Sequence, residues 1–318
     1  MAATAIYDGS MSYFDVLGVP HAYRLTPETQ QSATTVVFVH GWLLSQGYWQ
    51  PVIDRLSPDF QCLSYDLRGF GESSQGVAGR SPVTATHLSN APTPFSLEAY
   101  AQDLGALLAA LDLNPVWLVG HSLGGSVALW TAKLFPQRVQ GVVCVNAGGG
   151  MYLPDEFARF RQAGRQVVRW RPPWLKAVPL MSRAFASMMV HKPLALHWGE
   201  QRLTDLLAAD AAAAQGVLLE STTEAEVHRL PQVVASLEQP AYFVAGAQDP
   251  VMETKYVQHL ASFHPLFDSS EGNVTILPEC GHMAMVEQPE ALANIIRQHL
   301  STAVGPSQNA CAKDSVMQ

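Results

Sequence analysis

Six short runs of apolar, largely β-branched residues, each ending in turn residues, constrain this chain more than any other feature. They are "TTVVFVHG", "FQCLSYDLRG", "PVWLVG", "VQGVVCVNAG", "PAYFVAGAQDP" and "NVTILPECGH". Strands buried on both faces read this way, without polar alternation. Between them lie helical patterns such as "FSLEAYAQDLGALLAALDL", with Ser96 placed as its N-cap, the stretch 123–134, and "PEALANIIRQHL". The alternation predicts an α/β fold, a mostly parallel central sheet with helices on both faces. A hairpin around Leu17-Gly18 is expected ahead of it, in "SYFDVLGVPHAYRLT". The rhythm stops near Gly148 and resumes at "PAYFVAGAQDP"; the interval holds helical segments and no clear strand. The organisation is therefore read as a core in two parts, 1–148 and 232–304, with a helical lid at 149–231 and a frayed tail at 305–318. A lid placed there covers the carboxyl ends of the strands, where open α/β sheets bind ligands. The Ser-, Thr- and Pro-rich run at 73–94 reads as a long surface loop of unassigned role.

Composition narrows the field. The 318 residues are 48% hydrophobic with seven tryptophans, ample for a packed core. A formal charge of −8 argues against nucleic acid as a partner. The four cysteines have no metal-like spacing, and Cys62 and Cys144 sit inside strand-like runs as small hydrophobes. No basic and apolar leader stands at the N-terminus and no run approaches 18 apolar residues, so a cytoplasmic protein without a signal peptide or spanning helix is expected.

Within "VWLVGHSLGGSVALWTA", Gly-His-Ser-Leu-Gly stands between a strand and a helix pattern. In that context Gly-x-Ser-x-Gly builds a sharp turn that presents Ser122 at the sheet edge, with helix N–H groups behind it. Serine needs a base, and the base an orienting acid. Asp249 follows one strand run in "GAQDPVM" and His282 follows the next in "CGHMAMVEQPE". The order Ser, Asp, His, each at a strand's carboxyl end, suits a nucleophile, its orienting acid and its base in turn. Asn146 stands where an acid could also have served, but an amide cannot orient an imidazole by charge. In "FVHGWLLSQGYW" the chain can curl so that the Trp42 N–H faces the serine, and with the Leu123 N–H it forms a two-donor oxyanion hole. His40 reads as a structural anchor, as do Asp66 and Arg68 of "DLRGFGES".

Taken together, "HGW", "DLRGFGES", "GHSLGG", "GAQDPV" and "CGHMAMVEQPE" resemble the α/β-hydrolase superfamily from residue 36 to 300. The pairing of "HGW" with "HSLGG" is similar to carboxylesterases of the pimeloyl-carrier-protein methyl esterase kind, to cofactor-free haloperoxidases and to C–C bond hydrolases. The resemblance implies an α/β-hydrolase fold and a serine esterase acting on an apolar carboxylic ester or thioester. Perhydrolase or C–C hydrolase chemistry on the same residues is the alternative, and a ligand receptor with little turnover comes from a different class. Serine at the elbow argues against dehalogenase or epoxide hydrolase activity, which use aspartate there. No metal cluster and no dinucleotide fingerprint is legible, so no cofactor is expected.

The lid has a charge pattern of its own. From Phe157 to Gly199 there is no acidic residue, while Arg159, Arg161, Arg165, Arg169, Arg171, Lys176, Arg183 and Lys192 supply eight of the chain's nineteen Lys and Arg. Trp170 and Trp174 lie among them. Three readings stand open: docking on an anionic membrane surface, docking on an acidic carrier protein, or balancing acids on the core. Leu180, Met181, Phe185, Met188 and Met189 read as the lid's own core rather than as substrate contacts.

Overall fold

The structure, a computed structural model, describes residues 11–16, 18–76, 93–149 and 154–303. Eight strands form one sheet: β1 (Ser12–Val16), β2 (Val19–Leu25), β3 (Thr35–Val39), β4 (Gln61–Tyr65), β5 (Val116–His121), β6 (Val139–Val145), β7 (Ala241–Gly246) and β8 (Val274–Leu277). Their order is β1-β2-β4-β3-β5-β6-β7-β8. The first two form the antiparallel hairpin, although Leu17 of its turn lies outside the described residues, and β2 joins β4 antiparallel. From β4 to β8 every pairing is parallel.

Helices cover both faces, as the alternation requires. They are α1 (Gln50–Leu56), α2 (Leu97–Ala110), α3 (Leu123–Leu134), α4 (Pro154–Arg169), α5 (Met181–Ser187), α6 (Leu196–Ala208), α7 (Ala211–Ser221), α8 (Glu224–Ala235), α9 (Thr254–Ala261), α10 (Ala284–Glu287) and α11 (Pro289–Ala303). Ser96 caps α2, its hydroxyl accepting from the Ala99 N–H at 3.1 Å. All five residues of β3 are buried and alternate between two cores. Val37 and Val39 join Leu118, Leu104, Val127 and Val257 on one face. Val36 and Phe38 join Trp117, Val52, Leu56 and Ile296 on the other.

Between β6 and β7 the described chain is helical, from α4 to α8. The helix α8 passes the 231 boundary read from sequence, because Pro231 sits inside it rather than ending it. Its Leu230, Val233 and Val234 belong to the sheet's own core. Most of the 73–94 run, residues 77–92, and the 305–318 tail with Cys311 lie outside the described residues. The other three cysteines are buried free thiols. No helix among the described residues is long and apolar enough to cross a membrane.

The inserted helices are tied to the core by polar contacts as well as apolar ones. The Trp42 indole N–H donates to the Ala214 carbonyl of α7 at 2.9 Å. Asp205 of α6 is buried, accepting from the Ser45 hydroxyl at 3.0 Å and the Gln201 amide at 2.8 Å. Burial pushes its carboxyl up to about 7, against the downward pull of those hydrogen bonds. The folded protein thus prefers the protonated acid over a range where the unfolded chain has already lost its proton.

Two outcomes follow from this packing. Leu118→Ala, at a fully buried position on a central strand, removes a side chain that close-packed neighbours cannot replace. It lowers unfolding free energy by about 2–5 kcal/mol in urea titrations, and a loss well below that range contradicts the packing described. For Asp205 the sign is set by a raised folded pKa: its contribution is full below the ordinary carboxylate range and is lost as pH rises through about 7. The Tm of wild type relative to that of Asp205→Asn therefore declines across roughly pH 4 to 7, which thermal melts of both proteins over that window check.

Candidate active site

The Gly-x-Ser-x-Gly segment forms the sharp turn between β5 and α3. Ser122 sits at φ 52° and ψ −118°, a conformation that non-glycine residues seldom adopt. Neighbouring bonds hold it there: its N–H donates to the Val145 carbonyl at 2.9 Å, and its carbonyl accepts from Gly125 N–H at 3.0 Å. The flanking glycines are required by contact. A Cβ on Gly120 would lie 2.2 Å from the Gly124 oxygen, and one on Gly124 would lie 2.4 Å from the Val39 oxygen.

Asp249 and His282, read from separate strand ends, meet. Asp249 Oδ2 lies 2.8 Å from His282 Nδ1, with both residues buried. This leaves Nε2 as the ring nitrogen free to act. Ser122 and His282 line the same cavity. The carboxylate is well supplied with donors: Val251 and Met252 N–H groups reach Oδ1 at 2.8 and 2.9 Å, and the Asn146 amide reaches Oδ2 at 2.8 Å. Burial opposes its ionisation, yet the His282 ring and the backbone donors outweigh burial and hold the carboxyl below the usual range.

Three supporting residues escaped the sequence reading. Asn146, set aside because an amide cannot orient an imidazole, instead orients the acid and also donates to the Gly281 carbonyl at 3.1 Å. Its position at a strand end was the available signal. His121, the variable residue of the elbow motif, donates from Nε2 to the His282 carbonyl at 2.8 Å. Burial, then the neighbouring His282, lowers its pKa to about 3, so it stays neutral. Glu287 accepts from the Gly281 and Met283 N–H groups, both at 2.9 Å, and from the His191 N–H at 2.8 Å. The histidine loop is thereby clamped, and no local pattern in "CGHMAMVEQPE" marks that role.

Trp42 and Leu123, the expected backbone donors, line one small space together with Ser122. Among the described residues neither N–H enters an internal hydrogen bond. The loop carrying Trp42 is anchored as the sequence suggested. His40 donates from Nδ1 to the Gly41 carbonyl at 2.8 Å and accepts at Nε2 from the Leu67 N–H at 2.9 Å. Asp66 is buried and accepts from the Gln46 and Glu72 N–H groups at 2.6 and 3.0 Å, while Arg68 pairs with Asp103 at 2.9 Å.

Ser122 opens onto two spaces that share Trp42 and Phe160 as walls. One, of about 260 Å³, is bounded by Leu43, Phe185, Met188, Leu206, Val251 and His282. The other, of about 90 Å³, lies toward Leu123, Ser126, Leu218 and Met252. Phe185, Met188 and Met189 thus line the larger cavity and do not form a core for the lid, and Leu180 is exposed. The reason is size: α5 has two turns and buries only Ala186, so its apolar face has no second layer to cover it. Arg202 fixes this wall by donating to the Phe185 and Met188 carbonyls at 2.7 and 2.6 Å.

A model of the α/β-hydrolase fold matches residues 34–289. An uncharacterized protein of Mycobacterium tuberculosis is 26% identical over 89% of this chain and 80% of its own length. Among solved structures, a thermophilic esterase from Thermogutta terrifontis superposes with a TM-score of 0.68 at 22% identity, over 92% of this chain and 99% of its own. An enol-lactonase from Burkholderia xenovorans gives 0.69 at 18% identity, over 91% and 100%. At those identities the two structures speak for the fold, and the family match carries the assignment. The chain is a hydrolase of the α/β-hydrolase family.

Proposed function

We propose that the protein is a serine esterase that cleaves apolar carboxylic esters or thioesters through an acyl-enzyme. The observation that carries this reading is the Asp249–His282 hydrogen bond at 2.8 Å, with the free side of the imidazole and Ser122 on one apolar cavity. In the reaction His282 Nε2 takes the Ser122 proton as Oγ attacks the ester carbonyl carbon. The carbonyl oxygen becomes an oxyanion received by the Trp42 and Leu123 N–H groups. Collapse breaks the bond to the leaving alcohol, which takes the proton from His282. Water, deprotonated by His282, then attacks the acyl-serine carbonyl, and the acid departs as Ser122 regains its proton. Asp249 remains ionised throughout and holds Nδ1–H.

The geometry favours a substrate with one larger apolar portion. The wider cavity offers Leu43, Phe185, Met188 and Leu206, while the second space near Leu123 has about a third of its volume. Methionine lets such a wall adapt to flexible chains. His121, beneath the site, is buried and neutral, which suits an uncharged ester.

A panel of p-nitrophenyl esters from acetyl to palmitoyl tests the proposal. Wild type turns over esters with kcat/KM highest at medium or long chains, and Ser122→Ala abolishes it. Asp249→Asn retains the fold and lowers kcat by roughly 10⁴-fold, because the imidazole loses its orienting charge. Turnover that survives in Ser122→Ala, or its absence on every ester, overturns the reading. The second result leaves C–C hydrolysis, perhydrolysis or ligand reception at the same site.

A further inference from the structure

The outer surface of the insertion is both apolar and cationic. Val167, Trp170, Trp174, Leu180 and Met188 are among the exposed large hydrophobic residues, with Trp170 at 71%, Trp174 at 65% and Leu180 at 69% exposure. They lie on the end of α4, on the 3-10 turn Pro173–Ala177 that follows, and on α5 and its flanks. Val167 and Met188 also line the cavity that reaches Ser122 and His282. The apolar surface therefore continues from the outside of the insertion into the site. Side chains of this size are rarely left bare on a protein that meets only water.

Among the described residues, one of the basic side chains from Phe157 to Gly199 enters an ion pair. Of the eight basic residues between Phe157 and Gly199, Lys192 pairs with Glu279 at 2.6 Å. Arg171 donates to the Val168 and Leu206 carbonyls, and Arg161 donates to the Leu219 carbonyl and the Thr222 hydroxyl. Arg159, Arg165, Arg169, Lys176 and Arg183 are exposed, and among the described residues their side chains form no ion pair. A chain of net charge −8 leaves these five exposed in the same segment as two bare tryptophans.

We propose that this face docks on the surface of an anionic lipid bilayer, with the cavity mouth turned toward the lipid. Indole rings settle at the boundary between headgroups and acyl chains, and guanidinium and ammonium groups meet lipid phosphates above it. Such a surface needs no shape match, which suits tryptophans projecting from separate short elements. An acidic protein would answer the charges and leave unexplained why the apolar patch runs on into the cavity. Docking stands independently of the chemistry at Ser122. The delivery of a lipophilic ester from bilayer to serine rests on the esterase reading.

Co-sedimentation with vesicles separates the two. Wild type and Ser122→Ala are mixed with vesicles of phosphatidylcholine alone, and of phosphatidylcholine and phosphatidylglycerol in equal parts. Both proteins sediment with the mixed vesicles only, and high salt releases them. Arg169→Gln with Arg183→Gln weakens partitioning by about fivefold for each charge removed. Trp170→Ala with Trp174→Ala weakens it at least as much. Both double variants keep wild-type circular dichroism and wild-type hydrolysis of a short water-soluble ester. No sedimentation, equal sedimentation with neutral vesicles, or wild-type binding by both double variants overturns the proposal. So does retention on immobilised polyglutamate without vesicle binding, which points to an acidic protein instead. Vesicle binding by a wild type that hydrolyses no ester upholds the docking face and refutes the esterase.

Discussion

Behind Ser122 two stretches of backbone meet with no side chain between them. A methyl on Gly120 would collide with the Gly124 carbonyl, and one on Gly124 with the Val39 carbonyl. That approach draws the start of α3 against the end of β3, so two loops far apart in sequence deliver N–H groups to one point. The strained φ of Ser122 is the local cost, roughly 1–3 kcal/mol for such a conformation. It persists because β6 holds the serine N–H and α3 its carbonyl.

The acid and base depend on a second convergence at the same sheet edge. Parallel pairing brings the ends of β6, β7 and β8 side by side, so Asn146, Asp249 and His282 need only short loops to meet. A buried carboxylate is costly unless its lone pairs are used. Asp249 accepts from His282, Asn146, Val251 and Met252. Its charge is thus fixed by donors from three loops, and the imidazole receives one orientation from it.

Much of this was legible because the strands are buried on both faces and end in distinctive residues. Runs such as "TTVVFVHG" announce themselves by composition, and the residues that do the chemistry fall at their carboxyl ends. Tertiary conditions were harder to read. The fate of Met188 and Met189, just past α5, depended on whether anything packs beyond a two-turn helix. The lid boundary near 231 fell inside α8, because Leu230, Val233 and Val234 found the sheet's core to join. Asn146, His121 and Glu287 act through carbonyls and N–H groups of loops remote in sequence, and no spacing rule encodes those partners.

The His282 N–H donates to the Met189 carbonyl at 2.8 Å, and Glu287 holds the His191 N–H on the same side. The turn between α5 and α6 is therefore stitched to the loop that carries the imidazole. A hinge cannot lie there, because swinging residues 189–191 outward would pull the base away from its acid. Any widening of the cavity has to come from the other flank, where Phe160 and Val167 of α4 form the wall and the base stays seated while a bulky guest passes. The insertion behaves as a jaw with one fixed side.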